Sequence, residues 1–245
     1  MLRKLIENLA YRFNRLYVGF FLCLTLFFSF YYKLDNYLIF LIAAATIFDL
    51  WKSKFLSISN IFLLLLTSIV LIIDHYYDLN LFLYFNFFLF FIIFLSFFYR
   101  SYVIYIFPLI LIIFLYFLFN LSIIDRNVLY LCFLFSFFND TNAYIFGNLF
   151  KGPLIIPSIS PKKTWSGTLI SSFLSLILLL VLDYNFLFSL ICSISFFIGD
   201  VYFSYIKRLF NLKDFSNLLI SHGGILDRLD SIFLIVIFFN IYLYF

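Results

Sequence analysis

One stretch of this chain concentrates groups able to do chemistry. Between Ser204 and Asp230 it carries four basic residues, three carboxylates and His222, one of the two histidines, with Asp200 just upstream. On a helix, Asp200, Ser204 and Lys207 or Arg208 share a face, and so do Asp227 and Asp230. Carboxylates at one depth repel each other unless a cation joins them. Oxygen ligands suit Mg²⁺, which takes a few carboxylates together with substrate phosphates. The neighbouring Lys and Arg then suit phosphoryl or nucleotidyl transfer, in which cations hold spectator phosphates. Gly223-Gly224 lets the backbone approach an anion at the start of a helix, and His222 beside it is placed for phosphate contact. A simple break before an apolar run accounts for the two glycines equally well. A positive loop whose acids pair with its bases explains Lys213 and Asp214. It does not explain Asp200, nor Asp227 and Asp230 at the mouth of an apolar run, where carboxylates read as functional.

A second cluster lies at 139–167. Asn139, Asp140, Thr141 and Asn142 interrupt an apolar run, and Asp140 is expected to face the interior of a helix bundle. Downstream, Ser160, Lys162, Lys163 and Thr164 form a polar loop able to cradle phosphates. Binding to anionic lipid, with Trp165 as an interfacial anchor, is the alternative.

These groups sit in an unusual chain. Of 245 residues, 66% are hydrophobic and 11% charged, against about 45–50% and about 25% in soluble domains. A soluble fold of this size cannot cover that much apolar surface. A disordered chain would be apolar-poor and charge-rich. The expected class is an all-α, polytopic membrane protein. The 41 Phe and 19 Tyr read as lipid-facing filler. Cys23, Cys132 and Cys192 read as small apolar residues, since none forms a C-x-x-C pair.

Cutting at charges and turn residues predicts nine spans: 16–32, 37–51, 55–73, 79–98, 101–124, 128–147, 167–182, 186–205 and 229–245. With the N-terminus inside, 14 of the 16 Lys and Arg fall on the cytoplasmic side and only Lys33 and Arg126 outside, as the positive-inside rule requires. The topology is therefore N-in, C-out. Residues 1–15 read as an amphipathic cytoplasmic helix, 16–124 as a scaffold, and 125–245 as the catalytic region. The basic N-terminus lacks a cleavage site, so the first span is expected to be retained. No internal repeat is visible, and His75 reads as a surface residue.

Ser204, Ile206, Lys207-Arg208, Lys213-Asp214, Ser216, His222-Gly223-Gly224, Asp227-Arg228 and Asp230 resemble the motif of the phosphatidate cytidylyltransferase (CDP-diacylglycerol synthase) family. Asp140 to Gly147, Ser160 to Gly167 and Gly199-Asp200 are similar to that family too. The likeness covers 139–231. Departures are Ile220 where Pro or Gly is usual, Phe203 where an acid is frequent, and Asn142 for a smaller residue. The resemblance implies that CTP and phosphatidate give CDP-diacylglycerol and pyrophosphate. It implies Mg²⁺ held by Asp200, Asp227 and Asp230, and Asp200, Asp227, Lys207, Lys213 and His222 in catalytic roles. It implies substrate contacts from Asp140, Ser160, Lys162, Lys163, Ser204, Arg208, Gly223, Gly224 and Arg228. A homodimer in the inner (cytoplasmic) membrane follows from the family's habit, the site is expected to face the cytoplasm, where 14 of the 16 basic residues fall, and no nucleic-acid partner is expected. Two rivals stand beside it. A CTP-dependent lipid kinase acting on a polyprenol-type alcohol would release CDP instead of pyrophosphate. A transporter would spread its charges through the depth of several spans, whereas here they cluster.

Overall fold

The computed structural model describes residues 2–56, 58–77, 82–219 and 223–244, with side chains from Tyr17 onward apart from a few positions that include Lys162. The fold is helical almost throughout. In chain order the helices are α1 (Leu2–Tyr31), α2 (Asp35–Lys52), α3 (Ile58–Tyr77), α4 (Phe82–Phe98), α5 (Val103–Ile124) and α6 (Arg126–Phe150). A hairpin of β1 (Leu154–Ile156) and β2 (Ser160–Thr164) follows, then α7 (Trp165–Val181), α8 (Phe186–Leu209), the single turn α9 (Leu226–Leu229) and α10 (Ile232–Tyr244).

Local chemistry sets the boundaries that matter for the site. Asp125, Asn185 and Thr164 cap α6, α8 and α7, their side chains accepting from the amides of Asn127, Phe188 and Gly167. Each such cap is worth about 1 kcal/mol. Asn211, at φ +54°, ends α8 in the left-handed region, which Asn tolerates better than most residues. Leu212 N then donates to Lys207 O at 2.8 Å, and the chain turns back beneath α8. Pro108 lies inside α5 and cannot donate to the carbonyl of Ile104. The Asn60 amide on α3 donates there instead, at 2.9 Å.

The core centres on α5 and α10. Phe107, Ile110, Phe114, Phe117 and Leu118 of α5 and Phe233, Ile235, Val236 and Phe239 of α10 are fully buried. Helices α2, α3, α4, α6 and α10 all pack on α5, and α8 packs on α10. The N-terminal ends of α2 and α6 meet, where Arg126 Nε lies 3.1 Å from Asp35 Oδ2 and Tyr130 donates to Asp35 Oδ1 at 2.6 Å. At the opposite end of α2, its last turn meets the segment between α8 and α10.

The intervals 1–15 and 16–32 share one continuous helix, α1; the amphipathic stripe expected over 1–15 lies outside the described side chains. One expectation needs correcting. Residues 160–164, expected as a loop, form a strand with Leu154 opposite Thr164 and Ile156 opposite Ser160. Each of the nine predicted intervals lies largely in a helix. Two helices among the described residues are long and apolar enough to cross a membrane, Arg100–Ile124 and Phe186–Leu209. Tyr17–Tyr31, Trp165–Val181 and Ile232–Tyr244 are apolar but shorter.

Candidate active site

The centre of the site is a buried ion pair. Lys207, on the last turns of α8, places Nζ 2.8 Å from Asp227 Oδ1 on α9. The other oxygen, Oδ2, accepts from Gly224 N at 2.8 Å and Phe215 N at 3.1 Å. Phe215 is fixed in turn by aromatic packing. Its ring stacks on Phe107 of α5 with centroids 5.4 Å apart, meets Phe55 and Phe203, and lies 5.6 Å beneath Lys207 Nζ. Gly223 has φ +75°, and a Cβ there would come 2.6 Å from Asp227 Oδ2. A side chain is excluded on both counts.

A second, more accessible group adjoins it. Lys163 of β2 pairs with Asp200 of α8, both partly exposed. Ser204 reaches Asp200 Oδ1 at 3.5 Å, as its position one turn on allows. Asp140 of α6 is exposed yet reaches inward, accepting from Ser231 Oγ at 3.2 Å. Ser231 also bonds Ser136 Oγ at 2.6 Å, and its amide donates to the buried Asp230 at 2.9 Å. Asp230 lies within electrostatic reach of Asp200, Asp140, Lys207 and Lys163.

Glycines set these distances. A Cβ on Gly199 would stand 2.5 Å from the Asp230 carbonyl oxygen, so α8 touches the start of α10 backbone to backbone. A Cβ on Gly167 would strike the Ala143 carbonyl and come 3.0 Å from Gly147 Cα. That contact locks α7, and with it the 160–164 strand, against α6.

Asp140, Lys163, Asp200, Ser204, Lys207, Asp227 and Asp230 are thus drawn together from two distant stretches. Others are not. Arg208 is exposed and turned to the hairpin, donating from Nε to Ile159 O at 3.1 Å and from Nη1 to Leu212 O at 2.9 Å. Lys213 is exposed and Ser160 is half-buried in β2, while Arg228, also exposed, lies within electrostatic reach of Asp140. The Lys162 side chain and His222 lie outside the described residues.

Gly223 and Gly224, expected to contact phosphate, are buried, and the carboxylates nearest them are Asp227 and Asp49. Asp227, expected to hold a cation with Asp200, has its oxygens on Lys207 Nζ and two backbone amides. Among the described residues no three His, Cys, Asp or Glu side chains converge as a closed metal set.

Sequence reasoning missed Asp49, Ser136 and Ser231. Asp49 is fully buried near the end of α2, beneath Gly224. It is the only charged residue in the interval 37–51, and a lone carboxylate in an apolar run is itself a signal.

The buried cation–carboxylate pair, the accessible carboxylates around it and the all-helical scaffold define a class. The chain belongs to the cytidylyltransferase family, whose family model matches residues 11–245. Among curated proteins it is similar to the phosphatidate cytidylyltransferase of Rickettsia prowazekii (strain Madrid E). The two are 40% identical over 135 residues, 47% of this chain and 58% of that protein. It is likewise similar to the phosphatidate cytidylyltransferase of Staphylococcus haemolyticus (strain JCSC1435), 38% identical over 126 residues, 47% of this chain and 48% of the relative. The chain therefore spans about half the length of the curated relatives it matches.

Proposed function

We propose that this chain is a phosphatidate cytidylyltransferase, joining CTP and phosphatidate to give CDP-diacylglycerol and pyrophosphate. One observation carries the reading. Lys163 of the 160–164 strand meets Asp200 beside the buried Lys207–Asp227 pair. Two motif segments far apart in the chain thereby form one charged site of the kind phosphate chemistry needs. The curated relatives bearing that name support it.

The chemistry asks little of a base. A phosphate monoester is already anionic, so its oxygen can attack the α-phosphorus of CTP in line as the bond to pyrophosphate breaks. Asp200 and Asp230 are oxygen donors within electrostatic reach of each other and would hold Mg²⁺ along with nucleotide phosphate oxygens, since Mg²⁺ takes one or two carboxylates together with substrate phosphates. Bound there, Mg²⁺ would neutralise charge on the phosphates. Lys163 would hold a phosphate oxygen by exchanging it for Asp200. Lys207, held in place by Asp227, would keep its ammonium within electrostatic reach of Asp200 and Asp230.

The membrane reading belongs to the same proposal. Phe20, Phe21, Phe40, Phe62, Phe94 and Phe137 are exposed, while Asn60, Asn86 and Asn240 are buried. So large an outward apolar surface needs a cover, and lipid is the cover we infer, with nine spans, N-in and C-out. The site would then lie near the cytoplasmic surface, where CTP meets the phosphatidate headgroup.

The test uses the purified chain in detergent with Mg²⁺, phosphatidate and CTP labelled in cytidine or in the γ-phosphate. Cytidine label in lipid with matching pyrophosphate is the expected result. Phosphatidate left unlabelled by folded protein overturns the reading, and γ-label on a lipid alcohol with release of CDP would replace it with a kinase.

A further inference from the structure

Asp49 is a fully buried carboxylate that the proposed transfer leaves without a task. It stands in the last turn of α2, far in sequence from either motif. Its Oδ1 accepts from Ser216 Oγ at 2.6 Å and its Oδ2 from Leu226 N at 2.8 Å. Among the described residues it has no ion pair. The segment it grips runs from the end of α8 to α9 and carries no helix or strand among its described residues, so it lacks the regular hydrogen bonds of either. The two backbone amides that hold Asp227 belong to Phe215 and Gly224. Ser216 follows the first, and Leu226 lies two residues beyond the second. The two carboxylates therefore bind the same stretch of chain at alternating positions. Gly224 separates them, because the three atoms nearest a Cβ built there all belong to Asp49.

We propose that Asp49 is a positioning residue, clamping Phe215-Ser216 and Gly224 to Leu226 against α2 and thereby holding Asp227 against Lys207. The scaffold half of the chain then contributes directly to the geometry of the site. The kinetic arm of the test rests on the transferase reading above; the exchange arm does not.

Hydrogen exchange is measured on the full-length chain in detergent, and kcat and KM are measured with Mg²⁺, CTP and phosphatidate. In Asp49→Ala the amides of 223–229 exchange faster. Its kcat falls about 100-fold, the scale on which small misplacements act, with KM for CTP little changed. Gly224→Ala gives a similar loss by displacing the carboxyl, and the Asp49→Ala/Gly224→Ala pair is no worse than Asp49→Ala alone. Ser216→Ala, which removes one of the two contacts, gives a milder loss with the same exchange signature and serves if Asp49→Ala does not fold. Unchanged exchange over 223–229 in the folded variant overturns the proposal, as do losses that simply multiply in the pair. A wild-type chain without cytidylyl transfer would overturn the functional reading, while the exchange result would still decide the role of Asp49.

Discussion

Two lysine–aspartate pairs occupy the site, and their surroundings give them different consequences. Lys207 and Asp227 are buried. Removing one partner leaves an uncompensated charge, which costs about 3–5 kcal/mol. Asp227→Asn is therefore expected to lower the thermal midpoint in detergent as well as turnover. Lys163 and Asp200 are partly exposed, and the cost of breaking such a pair is small. Asp200→Asn is expected to abolish cytidylyl transfer while the melting curve stays close to wild type. Equal melting losses in both variants would contradict the assignment. Asp200, Lys207 and Asp227 were legible because they stand in or beside apolar runs, and Lys163 because it stands in a polar loop with Ser160, Lys162 and Thr164. What the glycines approach was not: Gly223-Gly224 signals a nearby anion equally whether that anion is a substrate phosphate or the protein's own Asp227. Asp49 was visible as an isolated charge, but its partner Ser216 lies 167 residues away, and spacing carries no information over that distance.

Helices hold these residues at set separations, and two contacts test how. Gly167 lets α7 reach the backbone of α6. Gly167→Ala must push the two apart, moving Lys163 at the head of α7 away from Asp200. Turnover is expected to fall sharply, whereas Gly19→Ala, where a Cβ meets nothing within 4 Å, is expected to behave as wild type in the same assay. Asn60 serves α5 by bonding the carbonyl that Pro108 leaves open. Asn60→Leu should cost about 1–3 kcal/mol, the desolvation penalty of an unmet buried acceptor, read as a lower thermal midpoint. The helices themselves were legible from apolar runs bounded by charges and turn residues. The hairpin was not, since a three-residue strand and a five-residue strand containing Pro161 carry no periodic pattern. Nor was the continuity of α1, because basic residues over 3–15 suggest a change of environment without requiring a break in the helix.

At the scale of the whole molecule, the two ends of α2 separate two polar regions. Asp35 joins Arg126 and Tyr130 at one end, and Asp49 joins the site at the other. The proposed topology sets these ends on opposite sides of a bilayer. Single cysteines introduced at Lys33 and at Lys213 are then expected to react with an impermeant maleimide from opposite faces of sealed vesicles. Labelling of both from one face would contradict that topology. Much of this chain is expected to tolerate exchange of one large apolar residue for another, because an exposed apolar surface and a Phe-rich core accept many shapes. Gly199 is the exception. It adjoins Asp200 and abuts the backbone carbonyl of Asp230, so on that side its α-carbon has room for a single hydrogen atom and nothing larger. The most permissive kind of sequence thus surrounds a position with no latitude, and mutational drift across this protein should halt abruptly there.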